Sequence, residues 1–258
     1  MNAQTSNLQG QGISLSFGGI QVLKGLDLEF RAGEITGLIG PNGAGKTSLF
    51  NCLTGAYRPQ KGSITYAGAP LDGLPPAARA KRGVVRSFQT VALCPDLTVV
   101  ENVMIGLSRN YHAGWLNAFL PLPKGRRELA EMRSAAEGAL AELGLANVGD
   151  LFPEQLPPGM LRLVEIARAI VGKPSVLLLD EPAAGLNNSE TRDLTRTLRE
   201  IASPDLVMVV VEHDMDLVMS ICDRIYVLNF GEFVTCGRPD EVRQDPDVIR
   251  IYLGSEDD

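Results

Sequence analysis

The sequence predicts an α/β fold, with a parallel-sheet core, a small antiparallel sheet beside it and a helical segment inserted between two halves of the core. Three observations predict it. The glycine-rich stretch Gly40-Pro41-Asn42-Gly43-Ala44-Gly45-Lys46-Thr47 has the form G-x-x-x-x-G-K-[ST]. It stands between an apolar, strand-like run, Ile35 to Ile39, and a helix-like stretch, Thr47 to Thr54. A second apolar run, Val176-Leu177-Leu178-Leu179, ends in the carboxylates Asp180 and Glu181. A third, Leu206 to Val211, is separated from the second by the helix-like Ser189 to Ile201, and a strand–helix–strand order implies parallel pairing.

Along the chain, residues 8 to 30 alternate apolar and polar positions around Gly18-Gly19 and read as a hairpin. Gln60-Lys61-Gly62 reads as a turn and Ser63 to Ala67 as a further strand of the antiparallel sheet. Val84 to Phe88 is strand-like and leads to Gln89. A helix starts near Thr98, which with Glu101 has the spacing of a capping box. Residues 106 to 126 are rich in Gly, Pro and aromatics, hold the only tryptophan, Trp115, and read as an insertion. Lys124 to Gly144 places Leu129, Met132, Ala136, Leu140 and Leu143 at helical spacing, and Leu161 to Val171 is a further helix stopped by Gly172-Lys173-Pro174. The expected organisation is one domain over 1–258. Segments 1–91 and 173–258 form the core with its antiparallel subdomain, and 92–172 forms the helical subdomain.

At 258 residues the chain can bury a large core. A net charge of −7 argues against nucleic acid as a partner, because phosphate neutralisation needs a basic face. Cys52, Cys94, Cys222 and Cys236 form no C-x-x-C pair and read as buried thiols of a reducing compartment. No signal-peptide pattern opens the chain and no apolar run is long enough to span a bilayer, so any membrane contact is expected through a partner.

The chemistry follows from residue types. Glycines let backbone N–H groups approach phosphates closely, Lys46 adds a point positive charge, and the Thr47 hydroxyl is placed to ligate Mg²⁺. Asp180, at a strand end beside that loop, can hold the same Mg²⁺. Glu181 follows at the strand-to-loop transition, where it could polarise an attacking water. His213, in Val211-Glu212-His213-Asp214, leaves another strand at the same sheet edge and could hydrogen-bond the γ-phosphate; the alternative is a surface histidine capping the next helix. His112 lacks such a context. Gln89 offers a neutral amide for Mg²⁺ or water.

These residues resemble the ATP-binding subunit of ABC transporters over essentially the whole chain. That family is a P-loop NTPase with a RecA-like core, so the resemblance implies this fold, ATP and Mg²⁺ as cofactors, and ATPase activity. The phosphate loop from Gly40 through Ser48 would bind ATP. Gln89 would be the movable Q-loop residue and a metal ligand with Thr47 and Asp180. His213 would be the switch histidine, and Phe17 the aromatic that stacks on adenine. Several runs are similar to the ATPases of branched-chain amino-acid importers, the LivG type: Phe50-Asn51-Cys52-Leu53-Thr54-Gly55, Gly83-Val84-Val85-Arg86-Ser87-Phe88-Gln89, Asp180 through Asn187, Glu212 through Met215, and Asp247 through Gly254. The implied partners are a second ATP-binding subunit and transmembrane permeases contacted by residues 90 to 105, at the cytoplasmic face of the membrane.

One departure stands out. The family's signature, L-S-G-G-Q or L-S-Y-G-Q, reaches the γ-phosphate held by the opposite subunit. Here it reads Leu156-Pro157-Pro158-Gly159-Met160. Two prolines lack backbone donors, a serine hydroxyl is missing, and Met160 replaces an amide, while Gly159 keeps its N–H. A helix tolerates proline in its first turn, so the helix is expected to form. The composite site that uses this segment is expected to be impaired, which favours a heterodimer with an intact partner signature. Three readings follow: a motor subunit of an importer, a nucleotide-holding regulatory subunit with weak hydrolysis, and a P-loop phosphotransferase unrelated to transport. The intact Glu181 and His213 favour the first.

Overall fold

The computed structural model describes residues 6–87, 92–108 and 123–253. Three of its strands, β3 (Ile35–Ile39), β7 (Val176–Asp180) and β8 (Val207–Val211), are buried at every residue. Continuous apolar runs of this kind suit parallel strands covered on both faces. With β6 (Val84–Arg86), β9 (Arg224–Asn229) and β10 (Glu232–Gly237) they form a six-stranded sheet in the order β10-β9-β3-β8-β7-β6. All its pairings are parallel except the β9–β10 hairpin.

A second, four-stranded antiparallel sheet has the order β2-β1-β4-β5, from β1 (Leu8–Phe17), β2 (Ile20–Phe30), β4 (Lys61–Tyr66) and β5 (Ala69–Pro70). The expected hairpin turns at Gly18 and Gly19, whose φ values of 52° and 87° suit glycine. Helix α1 (Lys46–Thr54) lies between the two sheets. Its Leu49, Phe50 and Leu53 join Leu8, Ile13 and Phe30 of the small sheet and Leu38, Leu178 and Val209 of the large one in one apolar core. Tyr226 also ties the sheets, accepting the Glu29 N–H and donating to the Glu29 carbonyl, both at 3.1 Å.

Helix α2 (Pro76–Lys81) precedes β6. Helices α3 (Val99–Ile105), α4 (Pro123–Glu142) and α5 (Pro158–Ile170) pack on one another through Val100, Val103, Leu140, Val164 and Ile166. Thr98 caps α3 in the expected capping box with Glu101. Helix α5 starts earlier than Leu161, because Pro157 and Pro158 occupy its N-cap and first position, where a missing N–H costs no helical bond. Helices α6 (Asn188–Ile201), α7 (Met215–Ile221), α8 (Pro239–Gln244) and α9 (Pro246–Leu253) complete the described chain.

Cys52 and Cys222 are buried, while Cys94 and Cys236 are partly exposed, so the expectation of four buried thiols holds for two. Burial pushes the Cys52 thiol up to about 11 and the Cys222 thiol up to about 12. Among the described residues no helix is long and apolar enough to cross a membrane. Gln89, His112 and Trp115 lie outside the described residues.

Candidate active site

Register places the site. Leu38 on β3 and Asp180 on β7 both pair with Val211 of β8. Gly40, Glu181 and His213 therefore leave the sheet from the same carboxyl edge, where α/β folds bind ligands.

Two glycines of the loop leave no room for a side chain. A Cβ on Gly40, at φ 151°, would stand 2.1 Å from the Leu228 carbonyl oxygen; one on Gly45, at φ 99°, would stand 2.9 Å from Leu23 Cδ2. Gly45 is the N-cap of α1, and no side chain caps that helix. The first-turn N–H groups of Lys46, Thr47 and Ser48 thus have no intrahelical partner and present the positive end of the helix dipole to an anion. Pro41, Asn42, Gly43 and Ala44 form the bend before it, closed by the Ala44 N–H on the Pro41 carbonyl at 3.1 Å.

Lys46 Nζ donates to the Gly40 carbonyl at 2.6 Å and to the Pro41 carbonyl at 3.1 Å, so the ammonium spans the loop. Burial lowers its pKa, and the negative charges of Glu181 and then Asp180 oppose that shift. The lysine and the two carboxylates are therefore electrostatic neighbours. Asp180 is 2% exposed and is paired with Arg86. Thr47 and Asp180 supply hard oxygen donors that fit Mg²⁺, which takes one or two protein oxygens and completes its shell from phosphates and water. The glycine cradle and uncapped helix end supply the adjoining phosphate site.

Glu181 is one of four non-glycine residues at positive φ among the described residues, at 47°. Such strain costs on the order of 1–3 kcal/mol and is found where the surroundings hold it. Here the Glu181 N–H bonds the Val211 carbonyl at 2.9 Å, and its carbonyl accepts the Ala184 N–H at 3.1 Å and Arg162 Nη2 at 3.4 Å. Arg162 belongs to α5, the helix that begins at the altered signature. The same helix carries the buried Glu165, whose Oε2 accepts Arg162 Nη1 at 3.0 Å. Glu165 Oε1 accepts the Ala92 N–H at 2.9 Å, and Arg168 Nη1 donates to the Ala92 carbonyl at 2.7 Å. Helix α5 thereby grips both the backbone of Glu181 and a residue three positions beyond Gln89.

The His213 side chain is 67% exposed, with Nδ1 3.9 Å from Glu212 Oε2. It does not cap the next helix; Asp214 does, accepting the Leu217 N–H at 3.0 Å. Phe17 is exposed at the end of β1 and packs edge-on against Tyr57, with ring centroids 5.3 Å apart. The signature residues lie together at the start of α5: Leu156 is buried, Gly159 abuts Glu190 of α6, and Met160 is exposed. Gln89 lies outside the described residues.

Sequence reasoning missed five contributors. Arg86, Arg162 and Glu165 carry charges inside apolar-looking segments, and only the third dimension pairs them. Glu212, 1% exposed, accepts the Ala183 N–H at 2.7 Å and the His213 N–H at 3.2 Å, bridging the loops after β7 and β8; burial pushes its pKa up. Tyr57 had no periodic signal, being two residues beyond the Gly55 that ends α1.

Residues 23–184 match the family model described as ABC transporter, and residues 234–258 match that of the branched-chain amino acid ATP-binding cassette transporter. The chain belongs to the ABC transporter family. This ABC ATPase is 44% identical, over 94% of its length and 96% of the relative's, to the high-affinity branched-chain amino acid transport ATP-binding protein LivG of Salmonella typhimurium. It is 40% identical to BraF of Pseudomonas aeruginosa, a protein of the same description, over 96% of the chain and 97% of the relative. Its fold matches a nucleotide-free ATP-binding cassette from an ABC transporter with a TM-score of 0.82 at 31% identity, covering 95% of this chain and 98% of the other. It matches the ADP conformation of another such cassette with a TM-score of 0.81 at 29% identity, covering 96% and 98%. The architecture is thus the P-loop cassette expected from the sequence, and the activity is ATP hydrolysis coupled to transport.

Proposed function

We propose that this ABC ATPase is the motor subunit of an importer for branched-chain or related amino acids. It works at the cytoplasmic face of the membrane on transmembrane permeases, beside a second ATP-binding subunit. The observation that carries the substrate class is the match of residues 234–258, outside the nucleotide chemistry, to the branched-chain amino acid model. Identity to LivG and BraF over nearly the whole chain supports it.

In this reading the loop from Gly40 to Ser48 cradles the triphosphate, and Lys46 neutralises the β- and γ-phosphates. Phe17, with Tyr57 against it, stacks on adenine. Thr47, Asp180 and Gln89 hold Mg²⁺, which supplies charge neutralisation for the phosphates. Glu181 orients and deprotonates the attacking water, and His213 bonds the γ-phosphate. Leu156, Pro157, Pro158, Gly159 and Met160 face the nucleotide of the opposite subunit. Because two of these residues lack an N–H, the opposite subunit is a different chain with a serine-bearing signature. The domain division follows the same logic, with 1–91 and 173–258 as the nucleotide-binding core and 92–172 as the helical part that carries the altered signature. The relatives lend no support to the alternative of a regulatory subunit with weak hydrolysis.

The test is Glu181→Gln in the assembled transporter. Loss of a general base costs about 10²- to 10⁴-fold in turnover, and nucleotide binding is retained. Uptake of labelled leucine into vesicles holding the permeases should fall with it. Unchanged turnover removes Glu181 from the chemistry, and turnover without any branched-chain uptake removes the substrate assignment.

A further inference from the structure

Arg86 ends β6, and its guanidinium is divided between two parts of the site. Nη2 pairs with the Asp180 carboxylate, and Nη1 donates to Asn51 Oδ1 at 2.6 Å. Asn51 lies four residues beyond Thr47 on α1, so both stand on one helix face. The Phe50 ring flanks the guanidinium, its centroid 5.7 Å from Cζ. Nε is buried with no hydrogen-bond partner among the described residues.

Asp180 is deeply buried, and a buried carboxylate needs an opposite charge. Lys46 faces it but gives its hydrogen bonds to the Gly40 and Pro41 carbonyls, so the direct contact comes from Arg86. The same carboxylate is the charge that, with the Thr47 hydroxyl, would hold a divalent cation. Two cations on one carboxylate repel, and the geometry offers Arg86 an alternative hold: Asn51 and the Phe50 ring keep the guanidinium in place when Asp180 turns from it.

We propose that Arg86 is a positioning residue that competes with the divalent cation for Asp180, so that it sets the metal affinity of the site and is released from the carboxylate when metal binds. A guanidinium that only braces the fold has all its donors satisfied, whereas this one keeps an Nε unbonded among the described residues and touches two elements of the site, α1 and β7. The inference rests on Asp180 and Thr47 holding the metal.

The test is Mn²⁺ affinity of the full chain with a non-hydrolysable ATP analogue, read by electron paramagnetic resonance. Arg86→Gln removes the competing charge and tightens Mn²⁺ binding by about tenfold, the scale of one unit charge in a partly screened site. Arg86→Lys keeps the charge and stays close to wild type. Unchanged or weaker Mn²⁺ binding in folded Arg86→Gln overturns the proposal. Should that variant not fold, ¹⁵N NMR of the wild-type arginine side chains decides: hydrogen exchange at Arg86 accelerates when Mg²⁺ joins the analogue, and an unchanged rate overturns it. Asp180→Asn separates the underlying reading, since Mn²⁺ affinity unaffected by that variant removes Asp180 as a ligand and the competition with it.

Discussion

Gly159 and Glu190 meet with no space between them for a β-carbon. A Cβ on Gly159 would stand 2.7 Å from Glu190 Oε1 and 2.9 Å from its Cδ. The carboxylate is not free to swing aside, because Oε2 accepts the Asn187 N–H at 2.9 Å and closes the capping box of α6. The start of α5 and the first turn of α6 are therefore fitted to each other through one glycine. Gly159→Ala is expected to break that box and cost about 1 kcal/mol, the usual value of a helix cap. Glu190→Ala removes the obstacle, so the double variant should lose less than the sum of the singles by at least about 0.5 kcal/mol. Urea unfolding of the four proteins measures this, and simple additivity would count against the contact.

Lys46→Met separates binding from folding. The ammonium is partly buried and disfavoured there by desolvation, so its removal should leave urea stability nearly unchanged. Hydrogen bonds to charged groups contribute about 1.5–3 kcal/mol, which predicts ATP affinity weakened by about 10- to 100-fold in isothermal titration. An affinity within twofold of wild type, about 0.4 kcal/mol, would mean that the lysine does not reach the phosphates.

Much of this was legible because phosphate chemistry and parallel strands both leave local marks. The strands at 35–39 and 176–180 were found at their observed boundaries, since β3 and β7 are buried on both faces and so read as apolar runs, while α1 begins at Lys46, one residue before the expected Thr47. The capping box at Thr98 is likewise local, while the one that Asn187 forms with Glu190 was not read from the sequence. What the linear reading missed is pairing across long separations. Arg86 and Asp180 are 94 residues apart, and Glu165 and Ala92 are 73 apart. Nothing in their flanks distinguishes such charges from solvated ones. The same limit explains His213: an exposed imidazole and a helix cap read alike until Asp214 is seen to take the Leu217 N–H.

Arg79 holds the far end of the phosphate-loop helix. Its side chain is buried, and Nη1 donates to the Cys52 and Leu53 carbonyls, each at 2.7 Å, while Nε donates to Leu74 at 3.2 Å. The Cys52 and Leu53 carbonyls belong to the last turn of α1, where helical donors run out; that of Cys52 also accepts the Gly55 N–H at 3.2 Å. Arg79→Met strips both carbonyls of the guanidinium, leaving Cys52 only the Gly55 N–H, and should cost about 2 kcal/mol in urea unfolding. Arg79→Lys should recover little of it, because a single ammonium cannot reproduce the planar fork. Full recovery by lysine would show that charge rather than geometry caps the helix.

Glu212 makes a pH dependence of its own. Burial raises its pKa in the folded protein above the ordinary 4.5, with the N–H groups of Ala183, His213 and Asp214 opposing that shift. Between the unfolded value and the raised one, the folded chain binds more protons than the unfolded chain at this group. Stability from Glu212 is therefore greatest in acid and declines as pH rises from 4.5 through the raised value. Glu29, Glu101, Glu241 and Asp245 have the opposite sign: their hydrogen bonds lower their pKa values, and what they contribute at neutral pH is lost as pH falls. The two trends overlap in the wild type, so the informative quantity is the difference between wild type and Glu212→Gln. The amide can still accept from Ala183, but its NH₂ faces the His213 N–H, a fixed cost of about 1–3 kcal/mol at every pH. Superimposed on that offset, the gap to wild type should narrow as pH rises from 4.5 and level off above the raised pKa. Urea unfolding at half-unit steps measures it, and a gap that stays constant across the range would mean that Glu212 titrates alike in both states.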